Sequence, residues 1–289
     1  MELAHYKMPW APLVVAPLGD IQWNGDANEI ALDSLKRHIA TAMAKEAWFI
    51  GLGDYIDFAS PSNRAKLAAA DLYDGPLKTL DDIAHRLVDE VYEILKPTKG
   101  RWLGLLEGHH FYQFRSGMTT DMKLAEMLGT KFLGTSAYVA LSFARHHEIN
   151  GDKVTSYIWA HHGRGSGKAH APIMKLENLT PYWEADVFLI AHMTKLATAA
   201  LLRIYPSFIG KTGKLRHKRI SLVGTGGWSK AYMEGATQGI VPRGGYVERD
   251  MMNPVCLGAP FVYLVPHRRD RGRGESRTVE STVNITVEL

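Results

Sequence analysis

Five short apolar segments, each leading to aspartate or histidine, constrain the fold of this chain more than any other feature. Runs of this length that end at glycine or polar residues are typical of buried strands in an α/β sheet. Residues 13–16 lead to Asp20, 48–52 to Asp54, 101–106 to His109 and His110, 154–159 to His161 and His162, and 185–190 to His192. Because open α/β sheets bind ligands at the carboxyl ends of their strands, we expect these side chains to meet at one sheet edge.

Carboxylates and imidazoles in one set are typical of a metal site. Taken singly, an Asp after a strand is more often a turn or cap residue, and a lone His is more often a packed core residue. Their recurrence at five strand ends favours metal binding. Such a donor set suits manganese, iron, zinc or nickel better than calcium or magnesium alone. We therefore predict a hydrolytic centre with one or two metals, in which the carboxylate of Asp54 can bridge two ions.

The order and spacing of these residues resemble the calcineurin-like metallophosphoesterases. The motifs of that family are Asp-x-His, Gly-Asp-x-x-Asp, Gly-Asn-His-Asp/Glu, a strand-end His and Gly-His-x-His. The resemblance covers roughly residues 13–194, and the loops 162–168 and 223–232 are similar to those of phage and bacterial members. It implies an α/β fold, a four-layer α-β-β-α sandwich of two mixed sheets flanked by helices, in a single domain over residues 1–289.

Three motifs depart from the family pattern. Gln22 stands in place of the first-motif His, and Thr194 in place of the last His. His109 replaces the usual Asn of the third motif, and Phe111 replaces its acidic residue. Both missing histidines belong to the same metal site of the family, so the resemblance implies one weakened site and one complete site.

The two implied sites share Asp54. We call the weakened one the carboxylate site, and its residues are Asp20, Gln22 and Asp54, with Thr194 as a neighbour in place of the lost fourth ligand. We call the complete one the histidine site, and its residues are Asp54, His109, His162 and His192. We expect one or two divalent ions. Manganese is favoured, with zinc, iron(II), magnesium or nickel as alternatives, and the carboxylate site should bind its ion more loosely because an amide is a weaker ligand than imidazole.

The resemblance also assigns supporting and catalytic roles. It places His110 near the leaving group as a general acid or charged donor, but Phe111 stands where the carboxylate neighbour of this histidine is expected. Asp57 should orient a ligand or cap a turn. His161 and His162 compete for one ligand position because successive strand residues point to opposite faces, and we choose His162 because it precedes Gly163. His161 and Thr194 are then supporting residues.

Basic residues suggest where a phosphate could bind. Arg164 and Lys168 lie in a glycine-rich loop that either cradles a phosphate or forms a solvated turn. The basic clusters at 211–219 and 268–273 either meet a phosphate backbone or form solvated hairpin tips. The net charge of +4 is only mildly basic.

Composition limits the class of protein. The single cysteine, Cys256, excludes an internal disulfide framework and suits a reducing compartment. The first residues lack the order of a signal peptide, and no run approaches the roughly 20 apolar residues of a membrane helix. We expect a cytoplasmic protein that does not engage membranes.

Apolar periodicity predicts the other elements. Helices are expected over 28–45, 61–72, 80–95 and 121–128, and strands dominate the second half. Residues 58–80 could form a lid insert, and we expect 268–276 to be a flexible hairpin tip because the stretch is charged and free of apolar residues.

The favoured function is hydrolysis of phosphate esters by metal-activated water. Phosphodiesters such as DNA, RNA or nucleotides are favoured over monoesters, which makes the protein a nuclease or phosphodiesterase. One alternative is a non-catalytic protein that binds nucleic acid or nucleotides and retains a degenerate metal site. Another is a single-metal hydrolase of a different bond, such as a phosphoanhydride.

Overall fold

The computed structural model describes residues 1–70, 72–144, 153–209, 212–238, 240–249, 251–271 and 278–289. Its helices are α1 (Leu32–Ala44), α2 (Pro61–Ala69), α3 (Asp74–Leu95), α4 (Thr120–Leu128), α5 (Ala171–Leu179) and α6 (Tyr246–Arg249). Its strands are β1 (Glu2–Pro9), β2 (Leu13–Leu18), β3 (Trp48–Gly51), β4 (Trp102–Leu105), β5 (Ser136–Ala144), β6 (Lys153–His161), β7 (Val187–Ile190), β8 (Ala197–Ile209), β9 (Thr212–Gly224), β10 (Thr237–Gln238), β11 (Val241–Pro242), β12 (Phe261–Arg271) and β13 (Thr278–Glu288). A short 3₁₀ helix, Lys96–Thr98, follows α3.

Eleven of the described strands form two mixed sheets, and β10 and β11 pair as a small two-stranded sheet. One has the order β13-β12-β2-β3-β4, in which β2, β3 and β4 are parallel neighbours. The other has the order β1-β5-β6-β7-β9-β8, in which β6, β7 and β9 are parallel. The parallel strands of each sheet end together, so the loops after β2, β3, β4, β6 and β7 gather at one edge.

Apolar side chains fill three layers. Val15, Ile50 and Leu103 of the first sheet pack against the second sheet in a core between them. Leu35 of α1 and Val88 of α3 belong to the core on the outer face of the first sheet. On the outer face of the second sheet, Leu176 of α5 packs with Phe188 and Leu222. The four-layer α-β-β-α sandwich is confirmed.

Helix starts differ from the sequence prediction. Helix α1 begins at Leu32 rather than at residue 28, because Ile30 bridges to Ser229 and the Ala31 N–H donates to the Trp228 carbonyl. Helix α3 begins at Asp74 rather than at residue 80, and its first turns are largely exposed, so they carry no apolar periodicity. Helix α4 begins at Thr120, one residue before the predicted start, and the Thr119 hydroxyl caps it by accepting the Met122 N–H.

Two long hairpins extend beyond the sheets. Only Ser221–Gly224 of β9 pairs with β7, and the rest of the β8–β9 hairpin forms a two-stranded ribbon. In the β12–β13 hairpin, residues 268–271 belong to β12 and pair with 278–281, so the strand pairing continues past the sheet into the segment expected to be a flexible tip. Residues 272–276 of that predicted tip lie outside the described residues. Within the described ranges, no helix is long and apolar enough to cross a membrane.

Candidate metal centre

A strained backbone surrounds the edge where the parallel strands end. Residues outside glycine rarely adopt positive φ angles, and when they do they often mark functional sites. Among the described residues, five non-glycine residues with positive φ follow β2, β3 and β7. They are Asp20 (+50°), Gln22 (+53°), Asp54 (+54°), His192 (+67°) and Thr194 (+48°). The same local turn therefore ends each of these strands and holds its polar residue at the sheet edge.

Two glycines let the loops after β3 and β4 touch. A Cβ on Gly53 would lie 2.6 Å from the Gly108 Cα atom, and one on Gly108 would lie 2.1 Å from the Asp54 nitrogen. Gly53 also has a φ of +94°, which side-chain-bearing residues rarely adopt. This close approach brings His109 and His110 against the Asp54 carboxylate.

The Asp54 carboxylate is held by the backbone of the β4 loop. Its Oδ1 atom accepts hydrogen bonds from the His109 N–H and the His110 N–H, the latter at 3.0 Å. Its Oδ2 atom lies 3.1 Å from His162 Nε2 and 4.0 Å from His110 Nε2. One oxygen therefore fixes the carboxylate while the other faces the imidazoles.

Three imidazoles converge beside Asp54. His162 Nδ1 lies 2.7 Å from the Leu52 carbonyl, to which it donates, so Nε2 is the nitrogen that faces Asp54. The Nδ1 atoms of His109 and His192 lie 3.3 Å apart. Both rings pack nearly edge-on against the His162 ring, with centroids 4.7 and 5.1 Å away. A ligand atom from each of the three residues lies within 4.8 Å of the other two.

Asp20 completes a second group of donors. Its Oδ2 atom accepts the His192 N–H at 2.8 Å. Ligand atoms of Asp20, Asp54 and His162 also lie within 4.8 Å of one another, and all three residues are buried. His162 and Asp54 thus belong to the carboxylate side as well as the histidine side of one continuous cluster.

Burial sets the protonation of this cluster. Burial alone would lower the pKa of His162, but the negative charges of Asp54 and Asp20 raise that pKa to about 9. Burial raises the pKa of Asp20 to about 7. Burial and the charge of His162 lower the pKa of His109 and of His192 to about 4, so both rings are neutral near pH 7. Neutral imidazoles are the form that binds metals.

The donor atoms fit a metal ion. Within the described residues, Asp20 Oδ1, Asp54 Oδ2 and His162 Nε2 are buried and form no hydrogen bond of good geometry. Asp54 Oδ2 and His162 Nε2 are close enough for an ion pair, but their alignment is poor. Buried polar atoms in native proteins normally have partners, and a cation satisfies all three. Asp20, Asp54, His162, His109 and His192 could therefore hold a metal ion.

Gln22 and Thr194 lie at the same edge. The Gln22 N–H donates to the Asp54 carbonyl at 2.9 Å, and its side chain lines a small cavity together with Asp57. The Thr194 carbonyl accepts the Cys256 N–H at 3.1 Å, and its methyl group faces Gly227. The structure brings both residues to the carboxylate side through their backbones.

His110 has a carboxylate partner that its sequence neighbours do not supply. Its Nδ1 atom lies 2.7 Å from Asp57 Oδ1. The expectation that Phe111 leaves this histidine poorly oriented was wrong, because Asp57 reaches it from the loop after β3. Burial lowers the pKa of His110, but the hydrogen bond to Asp57 and the charges of Asp54 and Asp57 produce a net increase.

Arg64 is a site residue that sequence reasoning missed. Its Nη1 atom donates to the carbonyls of Ala59, His109 and Phe111, and its guanidinium lies 3.9 Å from the centre of the Phe111 ring. Arg64 lies in α2, within the expected lid insert over residues 58–80. Its contacts fix the loop that carries His109 and His110.

The remaining predicted site residues lie around the cluster. His161 faces away from it, because its Nδ1 atom accepts the Gly163 N–H and its ring stacks on Trp159. The side chains of Arg164 and Lys168 are exposed. Their carbonyls accept from Lys175 Nζ and the Ala171 N–H, which fastens the glycine-rich loop to the start of α5.

Comparison with known proteins adds no identity to this geometry. No protein-family model matches the chain, and no curated protein matches it. The structure itself shows a buried cluster of Asp and His residues that could hold a metal ion, and beside it His110 paired with Asp57.

Proposed function

We propose that the protein is a metal-dependent phosphoesterase of the calcineurin-like type. The observation that carries this proposal is the convergence of three buried atoms that form no hydrogen bond of good geometry in the described chain, Asp20 Oδ1, Asp54 Oδ2 and His162 Nε2, with the neutral imidazoles of His109 and His192. A mixed carboxylate and imidazole set of this kind suits divalent transition metals. Phosphodiesters are the favoured substrates, as the sequence resemblance implies.

The residues of the histidine site would hold manganese, zinc or iron(II), and those of the carboxylate site would hold manganese or magnesium more weakly. A bound divalent cation supplies Lewis acidity that activates water and offsets negative charge on phosphoryl oxygens. The protein contributes a fixed ligand geometry, since the second ring nitrogen of His162 is tied to the Leu52 carbonyl.

Under this proposal, His110 is the residue that interacts with the leaving group. Its Nε2 atom lies 4.0 Å from Asp54 Oδ2, at the margin of the cluster, and Asp57 holds the opposite nitrogen. The Asp57 carboxylate favours the imidazolium form of His110, which donates a proton or a hydrogen bond to the departing oxygen. Arg64 positions His110 indirectly by fixing the carbonyls on either side of it.

The test is hydrolysis of chromogenic esters by chelator-stripped protein to which single metals are returned. We expect release of p-nitrophenol from bis-p-nitrophenyl phosphate with added Mn²⁺, and less release from the monoester. Metal content should fall together with activity in Asp54→Asn. The control Asp33→Asn, at an exposed position of α1, should retain both. Absence of hydrolysis of either ester with Mn²⁺, Zn²⁺, Fe²⁺, Mg²⁺ and Ni²⁺ would overturn the proposal.

A binding protein with a degenerate metal site is the second candidate. The presence of Gln22 in place of a histidine ligand favours it, because the carboxylate site then has a weaker donor set. This candidate requires salt-sensitive binding of nucleotides or nucleic acid without hydrolysis. The binding affinity should be the same in Asp54→Asn as in wild type.

A further inference from the structure

The β8–β9 hairpin projects from the second sheet as a two-stranded ribbon. Its strands pair from Ala197 and Gly224 at the base to Ile209 and Thr212 at the tip. Only residues 221–224 of β9 also pair with β7. The other nine residue pairs have no third strand beside them in the described sheet, and at about 3.3 Å per residue they extend for about 30 Å.

The ribbon points away from the metal centre. Its base lies at the ligand edge, because Gly224 pairs with Ile190 of β7, two residues before His192. Strand β9 runs towards that edge, so Thr212 and the hairpin turn lie at the opposite end of the ribbon. A partner that binds the tip therefore does not need to contact the cluster of Asp and His residues.

One face of the ribbon exposes large apolar side chains. Because successive strand residues point to opposite faces, Leu202, Ile204 and Phe208 share a face with Leu215 of the paired strand. Their exposed fractions are 63%, 55%, 72% and 69%. A Cβ on Gly213 would lie 2.8 Å from the Phe208 ring, so the ring lies across the ribbon. Exposed apolar patches of this kind mark surfaces that bind a partner or a membrane.

The ribbon carries basic residues and no acidic residue. Residues 197–224 contain six Lys and Arg residues and neither Asp nor Glu. Near the base, Arg203 and Lys218 form ion pairs with Glu184, which offsets part of the charge there. Lys214 is exposed near the tip and directly precedes Leu215. The uncompensated positive charge therefore lies beside the exposed apolar side chains.

This combination discriminates among possible partners. A second copy of the chain could cover the apolar face, but two ribbons that carry only cations repel each other. Nucleic acid attracts cations, but its phosphates and sugars do not cover a row of aliphatic side chains. An anionic lipid bilayer accepts both features, since its acyl region takes up apolar side chains and its headgroups attract Lys and Arg.

We propose that the β8–β9 ribbon docks the protein on an anionic lipid bilayer, with Phe208 and Leu215 in the acyl region and Lys214 among the headgroups. This inference does not depend on the proposed phosphoesterase function. It goes against the sequence-based expectation that the protein does not engage membranes, which relied on the lack of a long apolar run. An element that lies in the interface needs only a few exposed apolar side chains beside cations.

The test is co-sedimentation of the full chain with phosphatidylcholine vesicles that contain either no phosphatidylserine or about 30 mol% of it. We expect wild type to bind the anionic vesicles at least about 10-fold more tightly, and less tightly as salt is added. Phe208→Asp/Leu215→Asp should weaken binding at least about 100-fold, because two apolar side chains no longer enter the bilayer. Lys214→Ala should weaken binding to the anionic vesicles about fivefold.

Two controls separate docking from general effects of the substitutions. Tyr73→Asp/Leu289→Asp makes the same charge change at two exposed apolar positions outside the ribbon, and its vesicle binding should stay within about twofold of wild type. All variants should unfold thermally at nearly the wild-type temperature, because each substituted side chain is exposed.

The proposal is overturned if wild type binds neither kind of vesicle, or if Phe208→Asp/Leu215→Asp binds as tightly as wild type. A dimer that sedimentation detects and this double variant dissociates, without vesicle binding, would instead assign the face to a second copy. Binding of a duplex oligonucleotide but not of vesicles would assign it to nucleic acid. These measurements require no catalysis, so failure of the phosphoesterase proposal leaves them decisive.

Discussion

The histidine site and the carboxylate site share Asp54, but the protein holds their residues in different ways. On the histidine side, neighbouring groups orient the ligands, since the Leu52 carbonyl fixes His162 and Arg64 fixes the backbone of His109. On the carboxylate side, Asp20, Gln22 and Thr194 all have left-handed backbones. Because Asp54 and His192 of the histidine site have left-handed backbones as well, backbone conformation supports both sides, and the histidine side adds side-chain and loop contacts to it.

The two sides also differ in donor capacity. One Asp20 oxygen is already engaged by the His192 N–H, whereas each of the three imidazoles offers a nitrogen to the cluster. The strong donors are therefore concentrated around the position where the three imidazoles meet. Under the proposed function, the histidine site fills first and the carboxylate site fills at higher metal concentration.

Removing the shared residue should give the largest effect. Asp54→Asn keeps an oxygen that can accept the His109 and His110 N–H groups, but it removes the negative charge that both sites use. We expect diester hydrolysis to fall on the order of 10³-fold, equivalent to several kcal/mol of lost charge stabilisation. Isothermal titration with Mn²⁺ should show loss of both binding events, and retention of either one would contradict the sharing of Asp54.

Removing an imidazole should affect the tight event more than the weak one. In His109→Gln an imidazole that belongs to the histidine group alone is lost, so tight metal binding should weaken by at least about 100-fold, the upper range for loss of a group that only orients a ligand. Asp20→Asn should mainly weaken the second binding event. Equal effects of the two variants on both events would remove the distinction between the sites.

Releasing the His109 loop should produce an intermediate effect on the histidine side. Arg64→Ala removes the donor to the His109 and Phe111 carbonyls without removing any ligand. We expect metal affinity or kcat to fall roughly 10- to 100-fold, as found for neighbours that orient ligands. The carboxylate-site binding event should change little, and partial rescue by Arg64→Lys would distinguish positioning from general destabilisation.

Restoring an imidazole should strengthen only the carboxylate side. Gln22→His replaces a weak amide donor, so the second Mn²⁺ should bind about tenfold tighter. The first binding event should stay unchanged in the same titration. Tightening of the first event instead would assign Gln22 to the histidine side.

A substitution at His38, which packs behind the carboxylate side, should give the smallest effect. His38 stacks on Phe261 with ring centroids 4.7 Å apart and also contacts Trp228, and burial lowers its pKa to about 4. The unfolded chain binds the His38 proton near pH 6.5, so this residue destabilises the fold as the pH falls below that value. Between pH 7 and 5.5, wild type should lose about 1 kcal/mol more unfolding free energy than His38→Leu. Denaturant unfolding at the two pH values measures the difference, and identical losses would contradict it.

The strands and the Asp and His residues that follow them could be predicted from the sequence, because they depend on local patterns. Apolar runs identified the strands after which Asp20, Asp54 and His192 lie, and parallel strands necessarily end near one another. The partner of His110 was missed because Asp57 reaches it through a contact between two loops that only the Gly53–Gly108 approach permits. Contacts of that kind leave no periodic signal in the chain.

Other parts of the fold lacked a local signal for similar reasons. The role of Arg64 depends on where α2 packs, and the segment containing it was interpreted as a lid. One cavity is lined both by Asp26, in the segment after β2, and by Arg249, more than 200 positions later in the chain. The β8–β9 hairpin carries large apolar side chains that are exposed, including Leu202, Ile204 and Phe208, so its sequence does not show that it projects beyond the sheet.

The five left-handed residues at the strand ends make this site vulnerable to selection for heat resistance. Each left-handed residue other than glycine costs about 1 kcal/mol, and glycine avoids most of that cost. A screen that rewards only thermal stability should therefore accumulate glycine or asparagine at Asp20, Asp54 and His192. Variants of this kind would melt at higher temperature and lack the ligands of the proposed metal centre, so this sheet edge is also where stability and the proposed activity trade off most directly.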